Sequence, residues 1–367
     1  MSDSRLAEIA RVFVIEPQVA PAAAVAVAWR GASGSQHADG VAFAPGNVSA
    51  HVGSSVFFDL ASVSKSFTAL TVARLARRAP LSLSTPLGEL LPEVRGTITG
   101  ATSLESLLSH RAGLEAHRTL FAPLLAGLPF ERSAAIAEAI HGRRAECAEP
   151  APAAGHAPVY SDLGFLLVGL ALERLERLPL DELVDREVCA PLGLDVGSAR
   201  VLRRRHADFA QRCMPTETVP FRGGEVRGAV HDENAWAFSG HGLSGHAGLF
   251  GTASGVARFG RALLDVWHGR AADWLAAADL MALLRARPGA TLLAGFDGKS
   301  ADQSSAGSQA GPRTFGHLGF TGTSLWCDPD ADRAVVLLTN RVCPTRNNPR
   351  IRAARPVVND ALFTFER

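Results

Sequence analysis

Lysine is nearly absent from this chain of 367 residues. Of its 37 lysines and arginines, only Lys65 and Lys299 are lysines. Arginine does not give up its proton in proteins, so a cationic residue able to act as a base is confined to those positions. Tyrosine is scarcer, with Tyr160 alone against 18 phenylalanines. The five cysteines (Cys147, Cys189, Cys213, Cys327 and Cys343) are odd in number and widely scattered. That argues against a disulfide framework or a CxxC metal site and fits reduced thiols in a cytoplasm. Neither sign of charge prevails. The formal net charge is +1, so no nucleic acid or acidic surface is expected as a partner. The apolar run Val19–Trp29 is too short and alanine-rich to span a bilayer. The opening stretch MSDSRLAEIARVF carries acids and lacks a long apolar core, so it does not read as a secretory signal. A cytoplasmic location is the expectation. No internal repeat is present, and no GxSxG, which argues against an α/β-hydrolase.

What is present is enough apolar residue, 47% against 20% charged, for a sizeable core. Ser4–Phe13 reads as a short amphipathic helix. Ala24–Arg30 and Val41–Phe43 read as strands joined by a Gly31–Gly34 turn. After the apolar run Val56–Leu60, Val63, Phe67 and Leu70 follow helical spacing, arginines close the pattern and Pro80 stops it. Residues 81 to about 300 read as mostly helical or irregular. They include a short helix Ser103–Ser109, a buried helix Leu163–Leu178, and helices Leu180–Cys189 and Ala253–Trp267. Residues 297–313 are small and polar and read as a mobile loop carrying a solvated Lys299. Strand character returns at Phe315–Phe320, Thr323–Cys327 and Ala334–Thr339, before a final helix Ile351–Phe363 interrupted at Pro356. Strands at both ends and helices between them predict an α/β fold of the α+β type. It is one unit over 1–367. Residues 15–62 and 312–367 build an antiparallel sheet flanked by helices, and 63–311 form a mostly helical insert.

The chemistry centres on Ser62 and Lys65. Three residues apart at a helix start, they share a face, so the lysine nitrogen can reach the serine oxygen. A lysine whose ammonium is disfavoured by burial can take a serine proton. Tyr160 lies just before the buried helix, where a phenol can shuttle a proton if a cation lowers its pKa. Asp162 either pairs with Lys65 or caps that helix. His317 opens HLGFTGT on a strand, and Gly319 lets a ligand backbone approach the strand edge. The backbone N–H groups of Phe320 and Ser62 are the expected oxyanion donors. Gly240–Gly245 fits GxGxxG without the strand–turn–helix context of a dinucleotide site, and reads as a tight backbone passage. His231, Asp232, His241 and His246 match no metal-ligand spacing. No cofactor or metal is expected.

SVSK at Ser62–Lys65, YSD at Tyr160–Asp162 and HLG at His317–Gly319 occur in an order that resembles the serine β-lactamase/penicillin-binding superfamily. The resemblance is to its class C-like branch of D,D-peptidases, D-aminopeptidases, family VIII esterases and cell-wall amidases. FDLASVSKSFTAL, LLSHRAGL, YSDLGFLLVGLALE, VHDENAWAF and GHAGLFGTASGVARFGRALL extend it over most of residues 20–365. It implies the β-lactamase/transpeptidase-like fold, with Ser62 as acylated nucleophile and Lys65 assisting its deprotonation. Tyr160 becomes the general base. Asp162 stands where Asn is more frequent, and would orient Lys65 and a substrate amide. His317 and Leu318 replace the Lys and Thr of KTG, which exchanges a permanent cation for a titratable one. His231, Asp232 and Glu233 are implied to line the cleft. Arg341, Arg346, Asn347 and Asn348 are implied to lie near its mouth, where they either meet a substrate carboxylate or, the favoured alternative, are ordinary solvated side chains. The expected function is hydrolysis of an ester, amide or peptide bond of a small substrate. β-Lactamase or D-Ala-D-Ala carboxypeptidase activity, or a catalytically silent muropeptide or lactam binder, are the alternatives.

Overall fold

The computed structural model describes residues 3–32, 34–46, 55–152 and 154–366. Residue 33 of the expected 31–34 turn, and residues 47–54 of the expected sheet segment 15–62, lie outside the described residues.

Six strands form the main sheet: β1 (Ala22–Gly31), β2 (Gly34–Phe43), β3 (Asp297–Gly298), β4 (Phe315–Leu318), β5 (Ser324–Asp328) and β6 (Arg333–Thr339). Their order is β2-β1-β6-β5-β4-β3, antiparallel throughout. The two ends of the chain therefore meet at β1 and β6, with Ala26 opposite Val336. Alanine is a weak strand former, and burial on both faces overrides its propensity in β1. Ala22, Ala24, Ala26 and Ala28 face one core, packed by α5 (Ala253–Trp267). Ala23, Val25, Val27 and Trp29 face another, packed by α1 (Ser4–Ala10) and α6 (Ile351–Phe363). Small side chains let helices approach both faces closely. Among the described residues no helix is long and apolar enough to cross a membrane.

Several expectations change. β2 begins at Gly34, because it is an edge strand paired along its whole length to β1. Its polar half GSQHADG carries no hydrophobic alternation to read. Residues 297–313 are pinned to the fold. Asp297–Gly298 extends the sheet, Ala306 and Ala310 are buried, and Asp360 accepts from Ser308 Oγ and the Gln309 N–H. Lys299 is half-buried and donates to the Ala310 carbonyl. α6 continues through Pro356, and Leu180–Cys189 is an α-helix to Val184 followed by a π-helical turn.

The helix after Ser62, α2 (Ser64–Leu75), is buried along its length apart from Arg74. Its polar side chains are satisfied internally: Ser66 donates to Gly295 O, Thr68 to Gly245 O and Thr71 to Phe67 O. A three-stranded sheet of Phe58–Asp59, Leu249–Gly251 and Val196–Ser198 lies at its entrance and carries the chain into Ser62.

Candidate active site

Ser62 sits in a single 3-10 turn, Ala61–Val63, that runs directly into α2. Lys65, in the first turn of α2, points back along its helix. Its Nζ lies 2.9 Å from Ser62 Oγ, 2.6 Å from Asp162 Oδ1 and 3.4 Å from the His246 carbonyl. Lys65 is wholly buried. Burial works against its ammonium, but Asp162 and Tyr160 outweigh it and hold the lysine above its usual range. Burial likewise opposes ionisation of Asp162, yet Lys65, with His117 3.8 Å away, keeps that carboxyl well below the usual range. The resting pair is therefore ammonium and carboxylate. The expected deprotonated lysine is not the resting state.

Asp162 is the first residue of α3 (Asp162–Glu176) and does not cap it; Ser161 holds the cap position. Tyr160, two residues earlier, interacts through its hydroxyl with Lys65 and Ser62. Burial pushes the phenol up, and the pull of Lys65 does not reverse it. The expected lowering of its pKa is thus corrected: Tyr160 rests as a neutral phenol.

His110, which sequence reading passed over inside LLSHRAGL, fixes Tyr160. It is buried, takes a positive φ of 62°, and accepts the Ser161 N–H on Nδ1 at 2.9 Å. Its ring stacks on the Tyr160 ring at 4.5 Å. Burial depresses its pKa to about 3, so the acceptor nitrogen stays unprotonated.

His317 on β4 is buried as well, with its pKa driven by burial and then by Lys65 down to about 3. Its Nδ1 faces the Leu318 carbonyl at 2.7 Å, which makes Nδ1 the protonated nitrogen. A titratable cation in place of the KTG lysine is therefore corrected to a neutral imidazole. Gly319 also serves a different end from the expected one. A Cβ there would lie 2.5 Å from Leu60 O and 2.0 Å from Thr323 Oγ1, so the Ser62 turn itself fills the space. Phe320 follows, half exposed, and no acceptor among the described residues takes its N–H.

A cleft of about 690 Å³ opens over these groups. Ser62, Tyr160, Asp162, Leu318, Gly319 and Phe320 line it, together with His231, Asp232 and Glu233. The last three reach it because Asp232 caps α4 (Glu233–Ser239) and accepts His246 Nε2 at 2.9 Å. His231 pairs with Glu217 at 3.1 Å, and His241 is exposed and does not line the cleft. Gly245 gives the tight passage expected of GHGLSG, since a Cβ there would stand 1.8 Å from Phe165 O.

The far wall carries Arg341, Arg346, Asn347, Asn348, Arg352 and Arg355. Arg346 bridges Glu217, at 2.5 Å, and Glu233, so it is not free for a substrate carboxylate. Arg341 holds the carbonyls of Phe320 and Arg346 at 2.7 and 2.9 Å. Asn348 is spent on Gln18 O and Val19 O. Asn347 remains exposed. Arg355 is half-buried, its pKa lowered by desolvation to about 10, and donates to Gly319 O and Thr323 O. Arg352, which no sequence signal singled out, is exposed and has no carboxylate partner among the described residues.

The family model described as Beta-lactamase matches residues 14–359. A protein of Salmonella agona (strain SL483) named "Putative D-alanyl-D-alanine carboxypeptidase" is 26% identical over 327 residues, covering 83% of this chain and 72% of its own length. The fold is shared with a class C beta-lactamase from Rhodobacter sphaeroides (TM-score 0.66, 18% identity, 98% of this chain and 99% of that one). It is shared too with EstCE1, a hydrolase with promiscuous acyltransferase activity (TM-score 0.64, 21% identity, 96% of each chain). The chain belongs to the beta-lactamase family.

Proposed function

We propose that this chain is a serine hydrolase that passes through an acyl-Ser62 intermediate on an ester, amide or peptide bond of a small substrate. The observation that carries this reading is Ser62 Oγ at 2.9 Å from a buried Lys65 ammonium, at the floor of an open cleft. The substrate carbonyl oxygen sits between the N–H groups of Ser62 and Phe320. Ser62 Oγ attacks the carbonyl carbon. Its proton passes to Tyr160 Oη as the phenol yields its own proton to the leaving group, and the scissile bond breaks. The Lys65 ammonium stabilises the transient negative charge on the phenol oxygen, at no cost in reorganisation. Water then attacks the acyl-enzyme, with Tyr160 carrying the proton the opposite way. Asp162 keeps Lys65 charged and aimed. His317, being neutral, offers no charge to a carboxylate. A substrate ending in a carboxylate, such as a D-Ala-D-Ala peptide or a β-lactam, is the second reading, and the unpaired Arg352 in the cleft wall favours it. The buried free cysteines support a reducing, cytoplasmic setting.

The test is labelling with a fluorophosphonate, mass spectrometry of the Ser62 peptide, and turnover of a p-nitrophenyl ester by the wild type and Ser62→Ala. The expected result is a single adduct on Ser62 and a loss of turnover of at least about a thousandfold in the variant. Wild-type turnover by Ser62→Ala overturns the reading. Ligand binding with neither adduct nor turnover identifies a silent binder instead.

A further inference from the structure

We infer that Thr321 and Thr323 are positioning residues: a clasp that sets the distance between the two halves of the oxyanion hole. This rests on the reading of Ser62 and Phe320 N–H as the oxyanion donors. Those donors come from opposite ends of the chain, one from the turn before α2 and one from the turn after β4. Nothing in the chain's connectivity holds them in register.

Two side chains do. Thr321 Oγ1 donates to the Asp59 carbonyl at 2.7 Å, and Thr323 Oγ1 donates to the Leu60 carbonyl at 3.0 Å. Both threonines are fully buried. Thr321 is the residue after Phe320, and the carbonyls it and Thr323 grip lie within three residues of Ser62. Each side of the clasp is itself anchored. The Thr321 carbonyl accepts Thr339 Oγ1 from β6 at 3.0 Å and the Arg341 N–H at 3.1 Å. The Gly319 N–H closes the turn onto Thr323 O at 2.8 Å, and Arg355 holds Gly319 O and Thr323 O from behind. On the Ser62 side, the Asp59 carboxylate takes the Ala61 N–H at 2.8 Å and the His231 N–H at 2.6 Å.

The conformation of Ala61 shows why such a hold is needed. Its φ is +47°, in the left-handed region that alanine rarely adopts and keeps only where its surroundings over-determine it. Released, the residue before Ser62 relaxes and takes the Ser62 N–H out of line. An oxyanion donor works only within about 2.7–3.1 Å of the developing charge, and losing one costs about a hundred- to a thousandfold in kcat. Misalignment of one donor is worth a part of that.

The test uses the full chain and reads the rate at which a fluorophosphonate labels Ser62. In that step the Ser62 Oγ–P bond forms, fluoride leaves, the hydroxyl proton passes to solvent, and the phosphoryl oxygen occupies the oxyanion hole. Thr321→Val and Thr323→Val keep shape and remove the hydroxyl; Thr321→Ser and Thr323→Ser keep the hydroxyl and remove the methyl. Each valine variant is expected to label about ten- to a hundredfold more slowly. KM for a p-nitrophenyl ester should stay within about threefold, and each serine variant within about threefold of wild type in both readouts. Valine variants that label at the wild-type rate overturn the clasp. So do serine variants as slow as the valine ones, since packing of the methyl would then be the cause. Melting curves establish that each variant is folded, and Thr323→Val carries the test if Thr321→Val is not. A wild-type chain that takes no label overturns the serine-hydrolase reading itself. A labelled wild type with unaffected variants overturns only the clasp.

Discussion

Lys65 Nζ lies 2.6 Å from Asp162 Oδ1, and the lysine side chain of this pair has no exposed surface. The pairing settles the charge state of the site. It keeps Lys65 an ammonium, so the proposed acylation routes the Ser62 proton through the phenol of Tyr160.

Asp162→Asn removes the only carboxylate paired with Lys65 among the described residues. An uncompensated buried charge costs about 3–5 kcal/mol, unless the lysine sheds its proton. Urea unfolding at neutral pH is expected to show a loss approaching that size. Lys65 should also titrate at lower pH than in the wild type, which adds a limb to the pH–rate profile. An unchanged unfolding midpoint together with an unchanged profile would contradict the pairing.

The spacing of Ser62 and Lys65 was legible because a helix start turns i and i+3 into neighbours. The sheet was legible because strands fall at both ends of the chain. Protonation states were not. They depend on contacts from segments far away in sequence, such as the His246 carbonyl beside Lys65 and the His110 ring against Tyr160. Nor could the sequence say which cleft arginine is unpaired. Arg346 is consumed by Glu217 and Glu233, more than a hundred residues upstream, whereas Arg352 is left open. The first half of β2 and the short strand Asp297–Gly298 pair through backbone at the sheet edges, which leaves no hydrophobic period to read, and the rest of 297–313 is held by contacts with Asp360 that no local pattern announces.

His110 has two separable contacts with the Tyr160 segment, and two variants divide them. His110→Asn keeps an acceptor for the Ser161 N–H and suits the positive φ, but loses the ring stack. His110→Phe keeps a ring and strands the buried N–H, at about 1–3 kcal/mol. The phenylalanine variant is expected to melt lowest. The asparagine variant is expected to stay close to wild type in stability and lose kcat, because Tyr160 is no longer held on one face. Equal melting points for the two would show that the hydrogen bond does not matter.

Both His110 and His317 are neutral in the folded protein, with pKa values near 3, against 6.5 for an unhindered imidazole. Between those values the unfolded chain binds protons that the native state refuses. The stability they contribute is complete above pH 6.5 and falls as pH drops toward 3. The slope is about 1.4 kcal/mol per pH unit for each histidine. Unfolding free energies at pH 6, 5 and 4 should therefore decline steeply, and His317→Gln should remove about one histidine's share of the slope. For the same reason, no change of charge on His317 shapes activity between pH 5 and 8. A slope unaltered in His317→Gln would place that histidine in contact with water.

Arg352 and Arg346 face the same cleft with opposite consequences. Arg346 is held between Glu217 and Glu233, and Glu217 is kept ionised against its burial by His231 and then by Arg346. Arg346→Gln therefore strips a buried carboxylate of its cation, and its main effect is expected on stability. Among the described residues the Arg352 side chain has no hydrogen-bond or carboxylate partner, so Arg352→Gln should leave the melting point in place. If a substrate carboxylate is held at this wall, Arg352→Gln raises KM for an acidic substrate by about tenfold, equivalent to about 1.4 kcal/mol, and leaves a neutral ester unaffected. The contact is exposed, so the difference between acidic and neutral substrates should shrink as ionic strength rises. Measuring both substrates at low and high salt separates a binding role from a general loss of activity. Equal effects of Arg352→Gln on the two substrates would remove Arg352 from carboxylate recognition.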